Sequence, residues 1–208
     1  EEWTYTYDGN DLLESKTSPE GIRQYLNTYS SGRVVEQKDP LGRVTEMAWN
    51  GGTQTATQTD AAGAEWTYVY SGSDLIEKTD PLGRTTTFTY DQRGNLASKT
   101  DPRGNRWQYV SDSDGNLVRS IAPAPLNYVE RMSYDANNNL TQKIDGRGYI
   151  TNYTYDGQSN LTFVKRQDGA APGGIDQNVT EYVRDGTTKQ VEEIVDPAGN
   201  STFYTYHS

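Results

Sequence analysis

Short runs in which apolar and polar residues alternate one for one recur along the whole chain. After Gly83, the residues Thr86, Phe88 and Tyr90 share one face of an extended segment, while Thr85, Thr87 and Thr89 share the other, since successive strand side chains point to opposite sides. The same alternation groups Trp66, Tyr68 and Tyr70 after Gly63, Thr45, Met47 and Trp49 after Gly42, and Thr151, Tyr153 and Tyr155 after Gly148. Trp107 and Tyr109 take the first two of these places after Gly104. A second strand follows each time and begins with an aliphatic residue: Leu13, Val34, Leu75, Leu96, Leu117, Leu140, Leu161 or Val191, with Thr55 the exception. The pattern predicts hairpins that carry an aromatic–aliphatic stripe on one face and Thr, Lys, Glu and Gln on the other. No stretch has a helical period, so the chain reads as all-β.

The punctuation between strands is as regular as the strands. Asp39-Pro40-Leu41-Gly42, Asp80-Pro81-Leu82-Gly83 and Asp101-Pro102-Arg103-Gly104 are near copies, with looser ones at 17–21, 59–63, 144–148 and Asp196-Pro197-Ala198-Gly199. Asp suits the first turn position, Pro presets φ at the second, and Gly takes the left-handed conformation at the fourth. A second turn, clearest in Tyr90-Asp91-Gln92-Arg93-Gly94-Asn95-Leu96, has the same logic without proline and recurs at Tyr7-Asp8, Tyr134-Asp135 and Tyr155-Asp156. Type I turns followed by a left-handed residue make bulged hairpin connections. One unit is therefore strand, turn, strand, turn. The glycines at 21, 42, 63, 83 and 104 set its length at 20 or 21 residues. The whole chain reads as a single array of about eight to nine units of 20–26 residues, with enlarged connections near 121–128 and 166–176. A lone hairpin is marginal in water, so the units are expected to stack side by side into one continuous sheet.

Composition changes the picture in one respect. Only 32% of the 208 residues are hydrophobic, against about 45–50% in an ordinary globular domain. Aromatic rings at recurring strand positions, with 16 Tyr, 4 Trp and 3 Phe, must carry much of the burial. No apolar run approaches the roughly 18–20 residues of a membrane-spanning helix. The chain has no cysteine, which excludes disulfides, thiolate metal sites and a thiol nucleophile. A net charge of -10 repels phosphate backbones and argues against nucleic-acid binding. Glu1–Asp8 reads as mid-strand rather than as a signal peptide, so a longer parent chain is expected.

Candidate chemistry is sparse. The one histidine, His207, builds neither a catalytic relay nor a multi-histidine metal site. Asp39, Asp80, Asp101 and Asp196 recur at one turn position, which favours backbone capping over paired acid catalysis. Asp112-Ser113-Asp114-Gly115-Asn116 begins like a calcium loop but lacks the later ligands in register, so it reads as a turn. Asn-x-Ser/Thr sequons begin at Asn139, Asn152, Asn160, Asn178 and Asn200, as chance allows in so Asn- and Thr-rich a chain. Trp66, Tyr68, Trp107 and Tyr109 could stack on sugars, yet their strict spacing predicts packing between hairpins. The expectation is a protein with no catalytic, cofactor or metal site of its own.

Tyr-Asp, then Gly-Asn-Leu, then Lys-Thr-Asp-Pro-x-Gly-Arg, as at 90–101 and 78–84, strongly resembles the YD repeats of the Rhs family, shared by insecticidal toxin-complex proteins, wall-associated polymorphic toxins and teneurins. Tyr29-Ser30, Trp49-Asn50, Tyr70-Ser71 and Ser111-Asp112 depart from the dipeptide. The resemblance implies a β-sheet strip that spirals into a hollow shell, often around a toxic C-terminal domain. Implied partners are the remaining repeats of the shell and the enclosed cargo, with delivery machinery or a cell surface outside, in an exported bacterial protein. The family's terminal plug, with its extended Asp-Pro-x-Gly motif and self-cleaving activity, has no counterpart in these residues. The expected role is a non-catalytic wall, and the competing one an extracellular adhesion or carbohydrate-binding module. An open arc of such a wall should present an unpaired strand at each end and tend to associate.

Overall fold

The computed structural model describes residues 2–167 and 177–206. It has nineteen strands and no helix among them. The chain divides into two compact units, Glu1–Thr89 with Thr100–Gly104, and Tyr90–Lys99 with Asn105–Ser208.

In the first unit the strands are β1 (Thr4–Tyr7), β2 (Leu13–Thr17), β3 (Arg23–Ser30), β4 (Arg33–Lys38) and β5 (Val44–Asn50). They continue with β6 (Thr55–Thr59), β7 (Glu65–Ser71), β8 (Asp74–Thr79) and β9 (Thr85–Tyr90), whose last residue falls in the second unit. From β1 to β9 each strand pairs antiparallel with the next in sequence. The second unit has most of β10 (Leu96–Thr100), then β11 (Arg106–Ser111), β12 (Leu117–Ile121), β13 (Val129–Tyr134) and β14 (Leu140–Ile144). It ends with β15 (Ile150–Tyr155), β16 (Leu161–Gln167), β17 (Gln177–Arg184), β18 (Val191–Val195) and β19 (Ser201–Phe203). From β11 to β19 the ladders again run strictly in sequence order. No chain crossover is needed, because antiparallel neighbours can be joined directly by a short connection.

The turns form as their residues dictate. Gly83 N–H donates to the Asp80 carbonyl at 2.9 Å, and Asp80 N–H donates to the Arg84 carbonyl at 3.1 Å. Gly83 sits at φ 73°, a conformation that costs a side-chain-bearing residue but not glycine. The Tyr-Asp turn is the same structure: Gly94 N–H reaches the Asp91 carbonyl at 3.1 Å and Asp91 N–H reaches the Asn95 carbonyl at 2.9 Å. Three hairpins whose Asp is replaced turn otherwise. Ser31 and Gly32 (φ 50° and 75°) connect β3 to β4 in two residues, Gly72 and Ser73 connect β7 to β8, and a four-residue loop ending at Gln54 connects β5 to β6.

A one-residue bulge opens seven of the described hairpins. Tyr7 faces Leu13 while Thr6 faces Ser15, so Glu14 has no partner opposite. Val35, Ile76, Val118, Thr141, Thr162 and Glu192 are skipped in the same way. The bulge corrects one expectation. Simple alternation puts a lysine three residues after the leucine on the polar face. In the structure Lys16 lies opposite Tyr5, Lys78 opposite Tyr68 and Lys143 opposite Met132, on the aromatic face, because the extra residue shifts the phase of everything after it. The other face is largely hydroxyl-bearing: Thr57, Thr67, Thr79 and Thr85 line up across four neighbouring strands.

Neither face is covered by a second layer within these units. No described hydrophobic side chain is fully buried, and the buried residues are Ser15, Ser18 and Ser98. The accessible surface is 13869 Å², where a compact monomer of this size would expose about 9,700 Å². Half-burial of many rings against their lateral neighbours replaces a central core.

The enlarged connection at 121–128 is tied to the sheet. Ala122 N–H donates to the Tyr128 carbonyl at 2.8 Å, and the Tyr128 ring lies over Gly146, where an added Cβ would meet Tyr128 Cβ at 2.5 Å. Gly146 stands where other turns have proline, so the exceptional loop and the exceptional turn accommodate each other. The connection near 166–176 lies mostly outside the described residues. Gly146→Pro, although it restores the repeat's own proline, should therefore destabilise by about 1–3 kcal/mol through overpacking. Ala61→Pro, at the open equivalent position, should stabilise by about 0.4–1 kcal/mol. Paired denaturant titrations of the two variants check both signs.

Candidate functional site

The recurring side chains meet at the seams between hairpins. Each turn aspartate is a hub for its own loop. Asp39 Oδ1 accepts from Leu41 N–H and Arg43 N–H at 2.9 Å each, and its Oδ2 accepts from Arg43 Nε at 2.6 Å. Asp80 does the same with Leu82 and Arg84. In Asp91, Asp135, Asp156 and Asp196 the Oδ2 partner is instead the carboxamide of Asn95, Asn139, Asn160 and Asn200, at 2.9–3.0 Å. Asp101 heads its turn through Arg103 N–H and Gly104 N–H. Pro40, Pro81, Pro102 and Pro197 occupy the second position, and Gly42, Gly94, Gly104 and Gly199 the left-handed one, at φ 78–84°.

Four of these aspartates show one electrostatic consequence. The carboxamides of Asn95, Asn139, Asn160 and Asn200, together with the same residues' backbone N–H groups, hold Asp91, Asp135, Asp156 and Asp196 below the usual carboxylate range. Asp112 is likewise committed, with Oδ1 taken by Asp114 N–H and Asn116 N–H and Oδ2 by Asn116 Nδ2. That is a turn's use of a carboxylate. Three sequon asparagines, Asn139, Asn160 and Asn200, spend their amide nitrogens in the same way.

The tyrosines act between hairpins. Tyr29 donates its hydroxyl to the Leu13 carbonyl at 2.7 Å, Tyr134 to Leu117 at 3.0 Å, Tyr155 to Leu140 at 3.0 Å and Tyr206 to Val191 at 2.9 Å. Every acceptor is the first residue of a bulged return strand; Tyr29, Tyr134 and Tyr155 come from the strand that follows it, and Tyr206 from just beyond the end of β19. The bulge turns that carbonyl out of the regular ladder, and a phenol supplies the missing donor. Arg184 substitutes in another seam, its Nε lying 3.3 Å from the Leu161 carbonyl. Burial, with Tyr153 and Asp135 nearby, pushes the Tyr155 phenol up from its ordinary value, which keeps it a donor. Tyr29 and Tyr206 escaped the sequence reading because no Asp follows them. Their signal is a distance of 15–17 residues after the bulge leucine or valine, shared by all four.

The other aromatics cover the lysine-bearing face. Lys16 lies 4.0 Å from the Trp3 ring centroid and 5.7 Å from that of Tyr5, Lys78 lies 5.3 Å from Tyr68, and Lys99 lies 5.6 Å from Trp107. Cation and ring attract through the ring quadrupole, so the lysines lie along the stripe instead of breaking it. Trp66 pairs across strands with Gln58, Tyr109 with Ser120 and Tyr153 with Val164. Tyr7 is 60% exposed at the first strand. Phe88 and Tyr90 take their places on the same stripe of β9. Tyr70 meets Trp49 edge-on, ring centroids 5.7 Å apart, beside a cleft of about 510 Å³. Among the described residues no cluster of His, Cys, Asp and Glu is arranged to hold a metal ion. His207 lies outside the described residues.

Two tests follow from the seams. Tyr134→Phe should cost about 0.5–1.5 kcal/mol by orphaning the Leu117 carbonyl, whereas Tyr109→Phe should change stability by less than about 0.5 kcal/mol; chemical denaturation of both reads the difference. Because Asp91, Asp135, Asp156 and Asp196 titrate lower in the fold than in the unfolded chain, their contribution is complete above the unfolded pKa of about 4 and disappears as pH falls through the folded values. Tm should hold from pH 7 to 5 and drop between pH 4 and 2. Asp91→Asn should lower Tm at pH 7 and flatten that acid limb.

Residues 70–106 and 134–171 match the RHS Repeat family. No curated protein matches the sequence. Among solved structures, the chain is similar to TcdB2-TccC3, with 17% identity and a TM-score of 0.58 over 93% of this chain and 12% of that one. It is similar also to TcdB2-TccC3 without its hypervariable C-terminal region, with 16% identity, the same TM-score, and 93% of this chain set against 11% of that one. The chain thus spans about a tenth of the length of these relatives in structure, and at such identity the likeness is one of fold. Two segments of the chain, each lying within the run of hairpins repeated along the sequence, thus match the RHS repeat, and the fold is one shared with TcdB2-TccC3.

Proposed function

We propose that this chain is a non-catalytic length of wall in an RHS-repeat shell that encloses and protects a polypeptide cargo, in an exported protein. The observation that carries this reading is the seam: at four seams one hairpin is locked to the next by a tyrosine hydroxyl on a bulge carbonyl, and at a fifth by an arginine, so the repeats extend as a sheet without a core of their own. Containment follows from such a construction. Backbone groups tied up in ladders give proteases no extended segment to bind, and turn carboxylates consumed by their own loops leave little free chemistry. The RHS repeat match and the fold shared with TcdB2-TccC3 support a shell-type role, and the remaining repeats and a cargo domain are its natural partners. One of the similar structures is TcdB2-TccC3 without its hypervariable C-terminal region, in keeping with a constant wall and an exchangeable content.

Cryo-electron microscopy of the natural protein that contains this segment, combined with limited proteolysis, tests the reading. The expected outcome is a closed hollow particle whose internal density resists protease until the wall is cut. A solid rod, or a cargo digested as fast as the free polypeptide, would sink it.

A further inference from the structure

The hairpin of β5 and β6 departs from its neighbours in one respect that leaves a hole. Elsewhere the aromatic at the end of the first strand faces a large aliphatic residue: Tyr7 faces Leu13, Tyr29 faces Val34, Tyr70 faces Leu75, Tyr134 faces Leu140 and Tyr155 faces Leu161. Here Trp49 faces Ala56, and the ladder runs without a bulge. A cleft of about 510 Å³ opens at this point on the aromatic face, lined by Val34, Met47, Trp49, Ala56 and Tyr68 and bordered by Arg33. That volume is within the range of specific ligand sites, about 300–1,000 Å³.

The lining says what would enter. Its floor lacks the side chain that every comparable position supplies, so the missing volume is that of a leucine-like group. Its one charged residue is Arg33, whose guanidinium lies 4.8 Å from the Trp49 ring centroid and ion-pairs with no carboxylate among the described residues. In a chain of net charge -10, this is a locally cationic rim with its donor fork unused, suited to a carboxylate. A sugar fits less well, because Trp49 is already stacked by Arg33 and met by Tyr70 at 65°, which makes it a wall and not an open platform.

We infer that the cleft over Ala56 is a binding site for a polypeptide segment in which a leucine-like side chain is flanked by an acidic residue. The apolar side chain takes the place left empty opposite Trp49, and the neighbouring carboxylate engages Arg33. This assignment stands apart from containment, since a wall that encloses nothing would still hold such a segment.

The test is an NMR titration of the chain with acetyl-Glu-Leu-Glu amide, followed through the Trp49 indole N–H. A saturable shift is expected, with Ala56→Leu weakening binding by about tenfold or more, as befits the loss of an aliphatic contact, without lowering Tm. Arg33→Gln should weaken binding severalfold while leaving the far-ultraviolet spectrum unchanged, so it serves equally if the leucine variant folds poorly. Acetyl-Glu-Gly-Glu amide and acetyl-Lys-Leu-Lys amide should give no saturable shift. The proposal is overturned by the absence of a saturable shift with the acidic leucine peptide, by undiminished binding to either variant, or by equal binding of the lysine peptide. Tighter binding of a neutral oligosaccharide such as maltotriose would overturn it as well. None of these outcomes bears on whether the parent particle is hollow.

Discussion

A single extra residue near the start of seven of the return strands governs most of what distinguishes this sheet. The bulge rotates the later part of the strand by one phase, which carries Lys16, Lys78 and Lys143 across to the aromatic side. It also pushes one carbonyl per hairpin out of the ladder. An unsatisfied carbonyl in a half-buried seam would cost stability, and in four seams a tyrosine that follows, in a fifth Arg184, removes that cost. Local irregularity thus becomes the joint between repeats. Remove the bulge, as in the hairpin of β5 and β6, and both the phase and the packing change: a tryptophan faces an alanine and a cleft opens.

The turns solve a different problem with equal economy. A sheet with two broad faces and little buried apolar surface has a weak hydrophobic drive for each hairpin. Loops that fold on their own account compensate. In most regular turns one aspartate satisfies two or more donors within five residues, and for Asp39, Asp80, Asp91, Asp112, Asp135, Asp156 and Asp196 the Asn or Arg at the fifth position holds the second oxygen. The consequence is a structure whose register is set locally, hairpin by hairpin, and whose exposed carboxylates are spoken for.

The two halves of the repeat were legible to different degrees. Asp80-Pro81-Leu82-Gly83 and Asp91-Gln92-Arg93-Gly94 announce their turns because each residue's intrinsic φ preference and hydrogen-bonding reach act over four residues and need no partner from afar. The aromatic stripe was readable for the same reason up to the bulge. Beyond it, a one-for-one count assigned the lysines to the wrong face, since a bulge is visible only as a pairing of two strands. Tyr29 and Tyr206 were missed because their role is set by a carbonyl fifteen or more residues earlier, and nothing local to Gly146 reveals the Tyr128 ring above it.

Sequence alone determined that this chain is an all-β array of near-identical hairpins, the character of every regular turn, and kinship with the RHS repeats, because those properties follow from short-range propensities repeated often enough to outweigh any one departure. Tertiary structure decided which face each lysine joins, which hydroxyl closes which seam and where the stripe has a gap. Those outcomes depend on how neighbouring strands slide past each other, and a shift of one residue in register, which costs little in local terms, exchanges the two faces of a sheet.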